Sequence, residues 1–71
     1  MEMRILTAPS QTNAIRAQRL LYRNGIPAKM VRLSPQTTKN GCSWGVRIES
    51  LAVSRAIYLL EKDGIAFGEI L

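Results

Sequence analysis

Histidine does not occur in this sequence of 71 residues, and cysteine occurs once, at Cys42. Without imidazole there is no His-based catalytic triad and no imidazole cage for a metal. One cysteine excludes an internal disulfide and a C-x-x-C pair, and with no histidine it leaves a structural zinc site without ligands. Neither a metal nor another cofactor is expected. No Walker-type loop and no G-x-G-x-x-G segment is present to cradle a phosphate. Aromatics are scarce, at 6%. Trp44 is the one aromatic in a predicted central strand, whereas RNA-recognition sheets stack bases on several, which argues against nucleic acid as a partner. No apolar stretch approaches a membrane span, and Met1-Glu2-Met3-Arg4 lacks the apolar core of a signal peptide. The expectation is a cytoplasmic chain that does not engage a membrane. A lone thiol stays free in that reducing compartment.

The chain that remains is of ordinary globular richness, with 46% hydrophobic residues, and its length fits a single domain over residues 1–71. A domain this small has a thin stability margin, and without a disulfide or metal it relies on good packing or self-association. Acidic residues number five against ten lysines and arginines. The imbalance is local. Residues 1–26 carry Arg4, Arg16, Arg19 and Arg23 against Glu2, and residues 27–49 carry Lys29, Arg32, Lys39 and Arg47 against Glu49. Residues 50–71 reverse the sign, with Glu61, Asp63 and Glu69 against Arg55 and Lys62. The basic part surrounds the cysteine and favours anions: a phosphate, an acidic partner surface, or a thiolate of the chain itself. A solvated basic surface is the plainer reading.

A repeat organises the rest. Leu20-Leu21-Tyr22-Arg23-Asn24-Gly25-Ile26 matches Leu59-Leu60-Glu61-Lys62-Asp63-Gly64-Ile65, 39 residues further on. Each reads as a helix end: two leucines, a cation in the last turn, Asn or Asp, then glycine for a left-handed cap. Upstream of the first, Ser10 is a candidate N-cap; Ala14, Ala17 and Leu21, with Ile15 and Gln18 beside them, form the inward stripe, and Arg16, Arg19 and Arg23 a solvent stripe. Upstream of the second, Ser50 is the candidate cap, and Val53, Ala56, Ile57 and Leu60 recur at helical spacing. Strand-prone segments precede the helices at Met3–Ala8 and Trp44–Glu49, and follow them at Ala28–Leu33 and Ala66–Leu71. The order β-α-β-β-α-β predicts an α+β, ferredoxin-like fold: a four-stranded antiparallel sheet with both helices on one face. Alternation sends Trp44, Val46 and Ile48 toward the helices, and Ser43, Gly45, Arg47 and Glu49 to the open face. Apolar residues of both parities in the end strands point to a homodimer through that face.

The topology also predicts a juxtaposition. The first two strands run in the same direction, so the long polar loop from Ser34 to Cys42 should lie beside the start of the first helix, near Ser10, Gln11 and Thr12. A lone cysteine is by default a small buried hydrophobe. Here it follows Lys39-Asn40-Gly41 in a polar turn, and the positive end of a helix together with Lys39 and Arg47 would depress its pKa and favour the nucleophilic thiolate. Arg47, five residues on, falls on the other face of an ideal strand, so its default is an exposed strand residue. Trp44 is first a packing residue, and Ser10, Gln11 and Thr12 are first a cap and loop polars.

These segments together resemble the Se/S carrier-like family of small bacterial proteins. The resemblance is carried by Thr7-Ala8-Pro9-Ser10-Gln11-Thr12-Asn13-Ala14 at the helix start, Gly25-Ile26-Pro27 at its end, Arg32-Leu33-Ser34-Pro35, Cys42-Ser43-Trp44-Gly45-Val46-Arg47-Ile48, and Gly64-Ile65. It implies that Cys42 and Arg47 are the family's cysteine and strand arginine. Ser43 stands where the family usually has glycine, with the glycine displaced to Gly45. The function so implied is a sulfur or selenium carrier: Cys42 relays the chalcogen between donor and acceptor proteins, with Lys39, Gly41, Ser43 and Arg47 supporting the anion. Two other readings stand beside it. One is a small interaction or ligand-sensing module with an incidental cysteine. The other, nucleic-acid binding, rests on charge alone.

Overall fold

The computed structural model describes residues 2–34 and 43–71. Strand β1 (Met3–Ala8) leads into helix α1 (Gln11–Arg23), strand β2 (Lys29–Arg32) and strand β3 (Trp44–Glu49). A 3-10 turn (Ser50–Ala52) then precedes helix α2 (Val53–Lys62). The strands form an antiparallel sheet in the order β1-β3-β2. Residues directly opposite one another share a face. Leu6 faces Val46 and Met30, and Ala8 faces Trp44, so Val46, Ile48 and Trp44 share a side with Leu6 and Ala8. These residues, or the core they flank in the case of Trp44 and Met30, form one apolar cluster with Ala14, Ala17, Leu20 and Leu21 of α1 and Ala56 and Leu60 of α2. The expected alternation of β3 is therefore observed. Its opposite face carries buried Gly45 and exposed Arg47.

The repeat is a structural one. Gly25 and Gly64 have φ of 79° and 68°. Ile26 N–H reaches the carbonyl of Leu21, and Ile65 N–H that of Leu60, at 2.9 Å each; Gly25 N–H reaches Tyr22 and Gly64 N–H reaches Glu61. This pair of bonds is the Schellman arrangement, and in both copies the two residues it joins are buried in the core. Each motif thus ends a helix and sets the angle at which the chain returns to the sheet.

Ser10 caps α1 as expected, its Oγ accepting from Asn13 N–H at 3.2 Å. Ser50 does not cap α2. It opens the 3-10 turn, its N–H held by the carbonyl of Glu2 at 2.8 Å, and the residue at the N-cap of α2 is Ala52, with no side-chain cap. The first turn after β3 is thus 3-10, and the α-helix proper begins at Val53. In α1 the buried set includes Leu20 besides the expected Ala14, Ala17 and Leu21, because α1 packs against the sheet and α2 together and buries a wider arc than one stripe. Arg16, Arg19 and Arg23 face solvent as expected.

The C-terminal segment departs from expectation. Between Ala66 and Leu71 the structure has one isolated bridge, Ile70 opposite Leu6. Backbone bonds run both ways between Ile5 and Leu71, while Thr7 donates to Glu69 and accepts from Gly68. Two residues therefore oppose Thr7, the pattern of a bulge, and a ladder interrupted there does not extend. No helix among the described residues is long and apolar enough to cross a membrane.

Candidate functional site

The sheet ends at a row of three residues. Ala8 of β1 lies opposite Trp44 of β3, which lies opposite Arg32 of β2. Beyond the row, Leu33 N–H donates to the carbonyl of Ser43 at 2.7 Å, closing the base of the loop that leaves β2 at Ser34 and re-enters β3 at Ser43. On the β1 side of the row, Ala8 leads through Pro9 into Ser10 and the first turn of α1. The base of the loop and the helix start therefore occupy the same end of the sheet, as the topology predicts. Cys42 immediately precedes Ser43 in sequence; together with Lys39 and Gly41 it lies outside the described residues.

The helix start is fixed from two directions. The Ser10 hydroxyl donates to Asn13 Oδ1 at 3.0 Å while accepting from Asn13 N–H. Asn13 Nδ2 in turn donates to the carbonyl of Ala66 at 3.4 Å, which ties α1 to the chain beyond α2. Ser10 is thus spent on the cap. Gln11 and Thr12 stand exposed in the first turn, at the positive end of the helix.

Trp44 and Arg32 brace the loop base. The indole is half-buried against the core, and the Arg32 guanidinium lies over it, 5.1 Å from the ring centroid. A cation over an indole face is an attractive pairing that holds the two strands together where the loop begins. Sequence reasoning singled out Trp44 and missed Arg32. The signal is the hairpin register, which a loop of uncertain length conceals.

Gly45 explains the local backbone. A Cβ there would lie 2.7 Å from Ile5 Cγ2, 3.1 Å from Leu33 Cδ1 and 3.2 Å from the Leu6 carbonyl. Ile5 and Leu33 close over the glycine, and only a residue without a side chain lets them meet. Gly45 is thus a packing requirement of β3.

Arg47 is placed apart from the loop base. It sits three residues beyond Trp44, about 10 Å along the strand, exposed on the face away from the helices and opposite Ile5 and Lys29. Directly opposite it on β2 stands a second cation, Lys29. The described members of the set, Ser43, Ser10, Gln11 and Thr12, thus lie at the same end of the sheet, and Arg47 lies on the open face.

Residues 3–71 match the model of the family described as putative Se/S carrier protein-like, which covers nearly the whole chain. No curated protein and no solved structure matches the chain.

Proposed function

The chain belongs to the Se/S carrier-like family, and from that premise we propose that it is a carrier in which Cys42 is the relay atom for sulfur or selenium. The thiolate of Cys42 attacks the outer sulfur of a donor persulfide, R–S–SH. A Cys42–sulfur bond forms, the donor S–S bond breaks, and the donor leaves as R–S⁻. The product, Cys42–S–SH, passes its outer sulfur to an acceptor thiolate by the same exchange. Each step moves one sulfur at unchanged total oxidation level, so no outside oxidant or reductant is required. A selenium atom in the outer position follows the same balance.

The observation that carries this reading is the family match together with the shared end of the sheet. The closed base Leu33–Ser43 lies on the same edge row as the entry to α1. A cysteine that enters β3 from this end of the sheet would have the positive end of α1 and Lys39 nearby in support of the ionised thiol that exchange requires. In this reading Lys39 supplies the local charge, Gly41 and Ser43 permit approach, and Ser10, Gln11 and Thr12 form the rim, while Arg47, on the open face, adds only to the general positive field. The C-terminal segment acts as the fourth, bulged strand beside β1, which completes a ferredoxin-like order. The cytoplasm, where thiols stay reduced, is the compartment such a relay needs.

Intact mass after exposure to a small persulfide donor tests the proposal. The wild-type chain gains the mass of one sulfur, loses it on addition of a thiol acceptor, and titrates as a thiol more acidic than a free cysteine. Cys42→Ala gains nothing. Equal sulfur uptake by Cys42→Ala would falsify the relay.

A further inference from the structure

The outer face of α1 and the turn that ends α2 enclose a groove of about 540 Å³, lined by Arg16, Arg19, Tyr22, Arg23, Asp63 and Ile65. It is separate from the loop base. Ile65 is buried and forms an apolar floor, whereas Tyr22 is 64% exposed on the wall. We infer that this groove receives an acidic, partly apolar segment of a partner protein.

Three observations support that occupant. First, α1 contains no acidic residue, so Arg16, Arg19 and Arg23 repel one another at i,i+3 and i,i+4 spacing with no relief inside the helix. Within the groove three cations meet a single carboxylate, Asp63, which leaves a net positive wall open to external anions. Second, all three cations are arginines, whose planar forks bind carboxylates two bonds at a time, and they flank a tyrosine over an isoleucine floor. Arginine and tyrosine are the residues enriched where protein interfaces hold most of their energy. Third, Asp63 stands on the wall among them. A phosphodiester chain presents negative charge at every repeat and meets that carboxylate with repulsion. A peptide can set carboxylates against the arginines, an aliphatic side chain on Ile65 and Tyr22, and one cation or backbone N–H against Asp63.

The test is an NMR titration of isotope-labelled protein with a synthetic acidic octapeptide of glutamate and leucine bearing one central lysine, with octauridylate as the competing probe. The peptide should shift the amides of Arg16, Arg19, Tyr22, Arg23 and Ile65. Arg19→Gln and Arg23→Gln should each weaken it roughly threefold, and on the order of tenfold together, given the usual strength of exposed charge pairs. These positions are exposed and glutamine suits a helix, so the dispersed spectrum itself reports that the variants fold. Asp63→Asn should weaken the lysine-bearing peptide and strengthen octauridylate. Shifts elsewhere, unchanged binding by the double arginine variant, or octauridylate binding as tightly at the same amides would overturn the inference. Titrating the Cys42→Ala protein in parallel keeps the outcome independent of the carrier chemistry.

Discussion

Replacing Gly25 or Gly64 by alanine isolates the contribution of the duplicated helix ends. At neither position would a Cβ meet any atom within 4 Å. The cost is therefore conformational and owes nothing to crowding. A left-handed L-residue is disfavoured by about 1–2 kcal/mol. Alanine also narrows the unfolded ensemble, which returns about 0.4–1 kcal/mol. The net loss is about 1 kcal/mol for each substitution by these two terms. The two caps end different helices, so the double variant should lose about 2 kcal/mol, the sum for independent sites. A chain of 71 residues has a total stability of roughly 4–10 kcal/mol on a per-residue scale, so the double variant gives up a substantial share. Urea unfolding reads the change directly. With a slope of about 1 kcal/mol/M for a domain this small, each midpoint falls by roughly 1 M. Asparagine tolerates the left-handed region better than alanine, so the midpoints should rank glycine, then asparagine, then alanine. An alanine variant as stable as wild type, or one above asparagine, would refute the assignment of the cost to φ.

Further outcomes follow from the sheet. Gly45→Ala forces a methyl to within 2.7 Å of Ile5 Cγ2 and should destabilise by about 1–3 kcal/mol. Adding Ile5→Ala should recover part of that loss in thermal unfolding, and a double variant no better than the sum of its parts would remove Ile5 as the obstacle. Thr7 is fully buried, and its Oγ1 donates to the Glu69 carbonyl at 2.9 Å. Thr7→Val should cost about 1 kcal/mol and speed hydrogen exchange at Gly68 and Leu71, with exchange in α2 unaffected.

Local chemistry made much of this fold legible. Ser10, Gly25 and Gly64 act within a few residues of themselves, so their roles could be read from the sequence. So could the alternation of Trp44, Val46 and Ile48. What escaped depends on contacts between distant residues. Ser50 looks like the cap of α2, but it opens a 3-10 turn that moves the N-cap on to Ala52. Ala66–Leu71 reads as a regular strand, and the interruption of its pairing arises where Gly68 and Glu69 both oppose Thr7. Leu20 enters the core because α1 touches both the sheet and α2. At the site, the placement of the loop base and the start of α1 at one end of the sheet was legible because strand direction dictates it. The bracing by Arg32 depends on hairpin register, and Arg47 follows simple alternation to the open face.

The single bond from Leu33 N–H to the Ser43 carbonyl has a consequence for how this protein can change. It pins the two points between which the cysteine-bearing segment is strung, and so sets the register of β2 on β3 at its base. The entropy of closing a loop grows slowly with its length, about 0.6 kcal/mol per doubling. Changing the length of the segment should therefore cost the scaffold little through closure alone. The hairpin base is in effect a socket, and a series of transplanted loops would separate what the loop does from what the sheet holds.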